Sequence, residues 1–235
     1  MIYFPTLIPR EEKAQYLYLV LFCIDYTYLF SLITGGFIFL ICKNIYKAIG
    51  DIVNAYRVKL KRRILSNVPW TITAMSNDIS FFKSIILMVS EVEEAFGILV
   101  LLLYATIMCV FFNTVSVMLQ QSHTFLKAPA TIIYNIGNFL TATITVIQMS
   151  HYGSHIASQI QCLKREMVVC SDKFIRSSPP KSTMDVFHYL FEIVMKSQIE
   201  VTGYGLFVIN YSLILAIVST MITYSVLILQ LDNKK

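Results

Sequence analysis

A pair of histidines, a stripe of small and polar side chains and a row of amides and hydroxyls are the residues here whose types and spacing could do chemistry. His151 and His155 stand four apart, so both imidazoles share one helix face and could grip a metal ion. No third ligand accompanies them at a usable spacing. They read as polar histidines at a membrane interface, and neither a metal nor any cofactor is expected. The five cysteines (Cys23, Cys42, Cys109, Cys162 and Cys170) include no CxxC pair and suggest neither a zinc site nor a disulfide framework. A glycine-rich phosphate loop, GxSxG, HExxH and paired carboxylates inside an apolar run are all missing from the sequence. No catalytic residue is assigned, and the chain is not read as an enzyme.

The most regular pattern lies near the C-terminus. Ser212, Ala216, Ser219, Thr223, Val226 and Gln230 fall at steps of four, three, four, three and four, so one face of a Leu- and Ile-rich helix is mostly small or polar. Such a stripe has two uses. Small residues let helices approach closely while hydroxyls bond across them, or the stripe lines a water-filled path in an assembly of several subunits. A second polar row, Tyr134, Asn138, Thr141, Thr145 and Gln148, repeats at steps of four, three, four and three.

The elements that must position these residues follow from composition. Of 235 residues, 56% are hydrophobic and only 14% charged, whereas soluble domains are about half apolar and about a quarter charged. The deficit of charge excludes a soluble enzyme. Stretches without Asp, Glu, Lys or Arg cover 14–42 (broken once, by Asp25), 95–126, 128–163 and 201–231. Each exceeds the roughly 20 residues that cross a bilayer core. Four membrane helices at about 16–42, 96–121, 130–154 and 205–231 are expected. The fold class is all-α, a polytopic membrane helix bundle, because a backbone in lipid must satisfy its own hydrogen bonds and the runs lack barrel alternation. The first run follows Pro5, Pro9 and a mixed charged patch and is too long for a signal-peptide core, so it reads as an anchor.

Charge sets the orientation. Lys43, Lys47, Arg57, Lys59, Lys61, Arg62, Arg63 and Lys83 lie between the first two runs, and Lys164, Arg165, Lys173, Arg176, Lys181 and Lys196 between the last two. Both long loops, 43–95 and 155–204, are thereby placed in the cytoplasm of a plasma-membrane protein, with an extracellular C-terminus. The net charge of +5 reflects this topology rather than nucleic-acid binding. Ile45, Ile49, Ile52, Val53, Tyr56 and Leu60 recur at helical spacing in the first loop. After a break at Pro69 and Trp70, so do Ile72, Met75, Ile79, Phe82, Ile86, Val89 and Phe96. In the second loop Phe187, Leu190, Phe191, Val194, Gln198 and Val201 follow the Ser177–Pro180 breaker and lead into the last span in the same way. The expectation is that the spans continue below the membrane as long packed helices; the alternative is amphipathic helices lying flat on its surface. No repeat or low-complexity tract divides the chain, which reads as a single membrane domain, 1–235.

The segment Thr223, Tyr224, Ser225, Val226, Leu227, Ile228, Leu229, Gln230 resembles the Thr-Tyr, five hydrophobics, Gln signature that ends the last membrane helix of insect gustatory receptors. Upstream, Thr202, Gly203, Tyr204, Gly205, Leu206, Phe207 and then Asn210, Tyr211, Ser212, Leu213 are similar to that family's approach to the same helix. Ser225 replaces the first hydrophobic, and Leu231 stands where the family usually has Phe. Members of the family have seven spans, so the four here correspond to spans four to seven. An outside start for the first of them agrees with that register. The chain is expected to be the C-terminal part of such a receptor, without spans one to three.

The resemblance implies a ligand-gated cation channel, a homo- or hetero-tetramer of receptor subunits, with the last helix of each around a central pore and the cytoplasmic extensions making subunit contacts. On this reading Ser212, Ala216, Ser219, Thr223, Val226, Gln230 and Leu231 line the pore, with Gln230 and Leu231 at its narrow point. A leucine ring can block ions by dewetting, and an amide ring offers oxygens to a partly dehydrated cation. A small-molecule tastant would bind from outside, where Asp25, Asn113, Tyr134, Asn138 and Thr141 are the candidates. Asp25 is the one acid within a span, costing about 2.5 to 3.5 kcal/mol at a helix centre unless it is partnered. For each of these residues the competing use is an interhelical hydrogen bond, or for Asp25 a reach to the lipid headgroups. An odorant receptor of the same architecture, or a four-span scaffold that conducts nothing, remains the alternative function. The outside C-terminus and the lack of Asn-Pro-x-x-Tyr in the last span argue against half of a G-protein-coupled receptor.

Overall fold

The computed structural model describes the backbone of residues 10–65, 70–119 and 129–232, and the side chains of 33–63, 70–119 and 132–230. Five helices follow in order: α1 (Arg10–Leu65), α2 (Ile72–Leu119), α3 (Pro129–Arg176), α4 (Lys181–Lys196) and α5 (Tyr211–Asp232). The fold is all-α, with one isolated bridge, Thr202 with Val208, among the described residues. At 1.5 Å per residue, α1 runs about 84 Å and α2 and α3 about 72 Å each, more than twice a bilayer core of about 30 Å. Among the described residues, 72–119, 132–176 and 211–230 are helices long and apolar enough to cross a membrane.

Alternation of three and four residues decides what each long helix buries. On α1 the core positions are Cys42, Tyr46, Ile49, Val53, Tyr56 and Leu60; on α3 they include Ala142, Val146, Met149, Ile156, Ile160, Leu163, Met167 and Phe174. That spacing keeps one seam of each helix facing its neighbour, as in knobs-into-holes packing. Outside the seam the membrane-facing parts carry exposed apolar residues such as Ile133, Leu140 and Ile144, the surface lipid requires. Residues 43–65 and 72–95 therefore continue the long helices and pack with α3 and α4 as an inner bundle, rather than lying flat.

Asp78 fixes the far end of this bundle. It is 1% exposed on α2, and it pairs with Lys59 Nζ at 3.1 Å and with the Arg63 guanidinium, both on α1. The same guanidinium lies 5.1 Å over the Trp70 ring. Trp70 in turn meets Phe174 of α3 and Phe187 of α4 edge-on at 6.2 and 5.7 Å. One charge cluster and one aromatic cluster thus tie α1, α2, α3 and α4 together at this end. Cys170, buried beside them, has its thiol pushed up to about 12 by that burial, against the lowering influence of Arg63 and Lys173.

The last helix departs from the expected continuous run. α4 ends at Lys196, and the chain turns extended at Ser197 (φ −63°, ψ 126°). Gln198, expected to continue the helix, lies in the non-helical stretch that follows, and Val201 opens a tight pinch in which Ile209 N donates to the Val201 carbonyl at 2.8 Å and Gly203 N to the Phe207 carbonyl at 2.9 Å. Its tip needs left-handed backbone at Tyr204 (φ 54°) and Gly205 (φ 70°). Two glycines within three residues break a helix more readily than the surrounding apolar pattern can extend it.

Candidate functional site

The start of α5 is capped and bolted to α3. Asn210 precedes the first turn, and its Oδ1 accepts from the Ser212 amide at 2.9 Å and the Ser212 hydroxyl at 2.5 Å, an N-cap arrangement. The Tyr211 amide donates to Ser154 Oγ at 3.0 Å, and the Tyr211 hydroxyl meets His151 Nδ1 at 2.7 Å. His151 is therefore the partner of a tyrosine. Directly before Ser154 on α3, Gly153 is required: a Cβ there would collide with the Ile209 carbonyl. The preceding pinch is held by α2, where Glu93 accepts from the Thr202 hydroxyl, which itself accepts from the Gly205 amide at 2.8 Å.

From this footing the helical phase of α5 is fixed. Ile217 is buried, and Leu213, Ile214, Met221, Tyr224, Ser225 and Ile228 are half-buried against α2 and α3. Ser212, Ala216, Ser219, Thr223, Val226 and Gln230 are all exposed. At about 100° per residue the stripe lies roughly opposite the buried face, so it looks away from its own bundle. Within the subunit the stripe is not used for helix contacts. Thr223 returns its proton to the Ser219 carbonyl at 3.0 Å, which leaves oxygen lone pairs directed outward. Leu231 lies outside the described side chains.

Tyr224 does the opposite of its neighbour Thr223. Its hydroxyl lies 2.9 Å from Ser116 Oγ, and its ring lies 4.5 Å from that of Phe112, both on α2. The Thr-Tyr pair thus presents one residue outward and one to the bundle. Neither Ser116 nor Phe112 stands out in the sequence, because nothing local marks a partner that, for Ser116, is 108 residues away.

The polar residues expected to recognise a ligand divide. Asn113 is exposed on α2, and its Nδ2 donates to Oδ1 of the buried Asn135 at 3.3 Å. Tyr134 and Thr141 are exposed and Asn138 half-buried, on a face of α3 turned about 90° from Asn135. The structure therefore brings Asn113 to Asn135 and keeps Tyr134, Asn138 and Thr141 together as a separate row. Thr141 Oγ1 donates to the Gly137 carbonyl at 2.9 Å, and the Thr141 carbonyl accepts from Thr145 Oγ1 at 2.9 Å. Asp25 lies outside the described side chains. No group of three metal-ligating residues occurs among the described residues, and His155 sits against Gly50 of α1.

Comparison with known proteins follows the same lines. No curated protein matches the chain. Among solved structures it is similar to the insect olfactory receptor OR5 from Machilis hrabei in complex with eugenol, with a TM-score of 0.60 and 14% identity, over 98% of this chain and 56% of that one. The chain thus spans little more than half the length of that receptor, and at this identity the likeness concerns the fold. The model of the 7tm chemosensory receptor family matches residues 11–234, nearly the entire sequence, and the chain belongs to that family.

Proposed function

We propose that the chain is a subunit of a gustatory receptor that works as a ligand-gated cation channel, with α5 lining the pore. The observation that carries this reading is the phase of α5. A helix whose small and polar stripe, Ser212 to Gln230, is exposed while Tyr224 and Ile217 bind it to its own bundle has its polar side free for a water-filled path. Four such helices around an axis, in a homo- or hetero-tetramer in the plasma membrane, supply a pore that no single subunit contains. Gln230 and Leu231 form the narrow point, at the extracellular end of the last of four spans, with 43–95 and 155–204 as the cytoplasmic loops.

The Tyr134, Asn138 and Thr141 row, with Asn113 and Asp25, forms the wall that recognises a small hydroxylated or nitrogenous tastant. The Thr-Tyr to Gln signature favours a gustatory over an odorant receptor. Gln230→Ala, recorded in a conducting receptor with surface delivery checked by antibody, is expected to change ion permeation or basal leak. Unchanged currents would contradict the assignment. Loss of ligand response in Asn138→Ala, with surface delivery intact, would support the outer wall, and a wild-type dose response would oppose it.

A further inference from the structure

At the end of the bundle where α2 gives way to α3, a crevice of about 340 Å³ opens between α2, α3 and α5, within the size range of small-molecule sites. Met118, Ile136 and Leu140 form its rim and are 39%, 42% and 54% exposed. Met221 and Ser225, both half-buried, line it from α5. The lining has no charged side chain, and its hydroxyls are committed: Thr114 donates to the Val110 carbonyl at 2.8 Å and Ser225 to the Met221 carbonyl at 2.8 Å. No charge and no free hydroxyl proton is left here to hold an ion or a sugar. The crevice also lies across α3 from the Tyr134, Asn138 and Thr141 row, so it is not part of the outer wall.

The rim residues stand on helices that are long and apolar enough to cross a membrane, so the matter that reaches the mouth is bilayer hydrocarbon rather than water. An apolar hollow left empty loses dispersion contacts along its whole lining, and a flexible methylene chain restores them. We propose that the crevice seats one acyl chain of a membrane lipid, lodged behind α5 on the side away from the Ser219, Thr223 and Val226 stripe. The seat requires only that α2, α3 and α5 lie in the membrane, and it stands whether or not α5 lines a pore.

The test uses the whole chain in nanodiscs of phosphatidylcholine, a fraction of it carrying a diazirine on one acyl chain, with photoadducts mapped by peptide mass spectrometry. Ile144, exposed one turn along α3 from Leu140 and outside the crevice, reports ordinary lipid contact. Adducts at Met118, Leu140 or Met221 are expected to exceed those at Ile144 by on the order of fivefold, the ratio that about 1 kcal/mol of preference gives. Ser225→Phe, which fills the crevice, is expected to abolish this excess and leave Ile144 labelling unchanged; Ser225→Met fills it more gently in the same direction. Equal labelling at the crevice and Ile144 in the wild-type chain would overturn the proposal, whether the mouth holds only passing lipid or is covered by another chain. Crevice labelling that survives both fillings would overturn it too.

Discussion

The Tyr224 and Ser116 hydroxyls meet 2.9 Å apart, joining the last helix to α2. This contact, with the Phe112 ring 4.5 Å from that of Tyr224, holds α5 along its length in the rotation that its start on α3 fixes, and so keeps the same side chains outward. Hydrogen bonds between membrane helices average about 0.6 kcal/mol in double-mutant cycles. Tyr224→Phe and Ser116→Ala are each expected to cost about that much in a detergent unfolding titration. The double variant should cost little more than either one alone, and additive losses would show that the two hydroxyls do not act as a pair.

The Asp78 cluster ties α1 to α2 by charge. Asp78 is 2% and Arg63 16% exposed by side chain, whereas Lys59 is 58% exposed. Removing the carboxylate leaves a part-buried guanidinium unpaired. Asp78→Ala is expected to cost about 3 kcal/mol, and Lys59→Ala less than about 1 kcal/mol because water screens it. Thermal unfolding of the purified protein ranks them, and equal losses would refute the assignment.

Two glycines should behave differently. A methyl at Gly153 meets the Ile209 carbonyl, with no side-chain rotation to relieve it, whereas one at Gly205 meets nothing and suffers only from its positive φ. Gly205→Ala is expected to cost about 1 to 2 kcal/mol. Gly153→Ala should cost more and displace the start of α5, which surface expression and a melting curve would register as the larger loss.

Cys170 should resist alkylation. Its thiol is pushed up to about 12 by burial, and the nucleophile is the thiolate. A raised pKa in an acid means the neutral form persists, so at pH 8 the Cys170 thiol stays protonated. Iodoacetamide at pH 8 is expected to modify the half-buried Cys162 well before Cys170 in the native protein. Denaturation should erase the difference, and equal native rates would show that Cys170 is accessible.

Much of this arrangement is legible in the sequence because it rests on period. Ile49, Val53, Tyr56 and Leu60 repeat at four and three, Met75, Phe82 and Val89 at seven, and all are buried. The Ser212 to Gln230 stripe repeats in the same way, and the structure turns it outward as a unit. What the sequence hides is pairing across distance. Asn113 stands out as a polar residue in a span, but its partner Asn135 lies beside three other polar positions on α3, and only packing selects it. Asp78 looks like one more charge in a charged loop until α1 returns Arg63 to it. The gap between α4 and α5 is hidden because Val201, Phe207 and Ile209 continue the apolar pattern. The deciding features are Gly203, pressed against the Phe207 ring, and Gly205 in left-handed backbone.

The exposed stripe of α5 is tested most directly by single cysteines at Ser219, Thr223, Val226 and Ile217, treated with a membrane-impermeant cationic thiol reagent while the receptor conducts. The first three face outward and Ile217 is buried. Current is expected to fall in S219C, T223C and V226C and to hold in I217C. Equal block at all four positions, or block at Ile217 alone, would contradict a pore lined by this face.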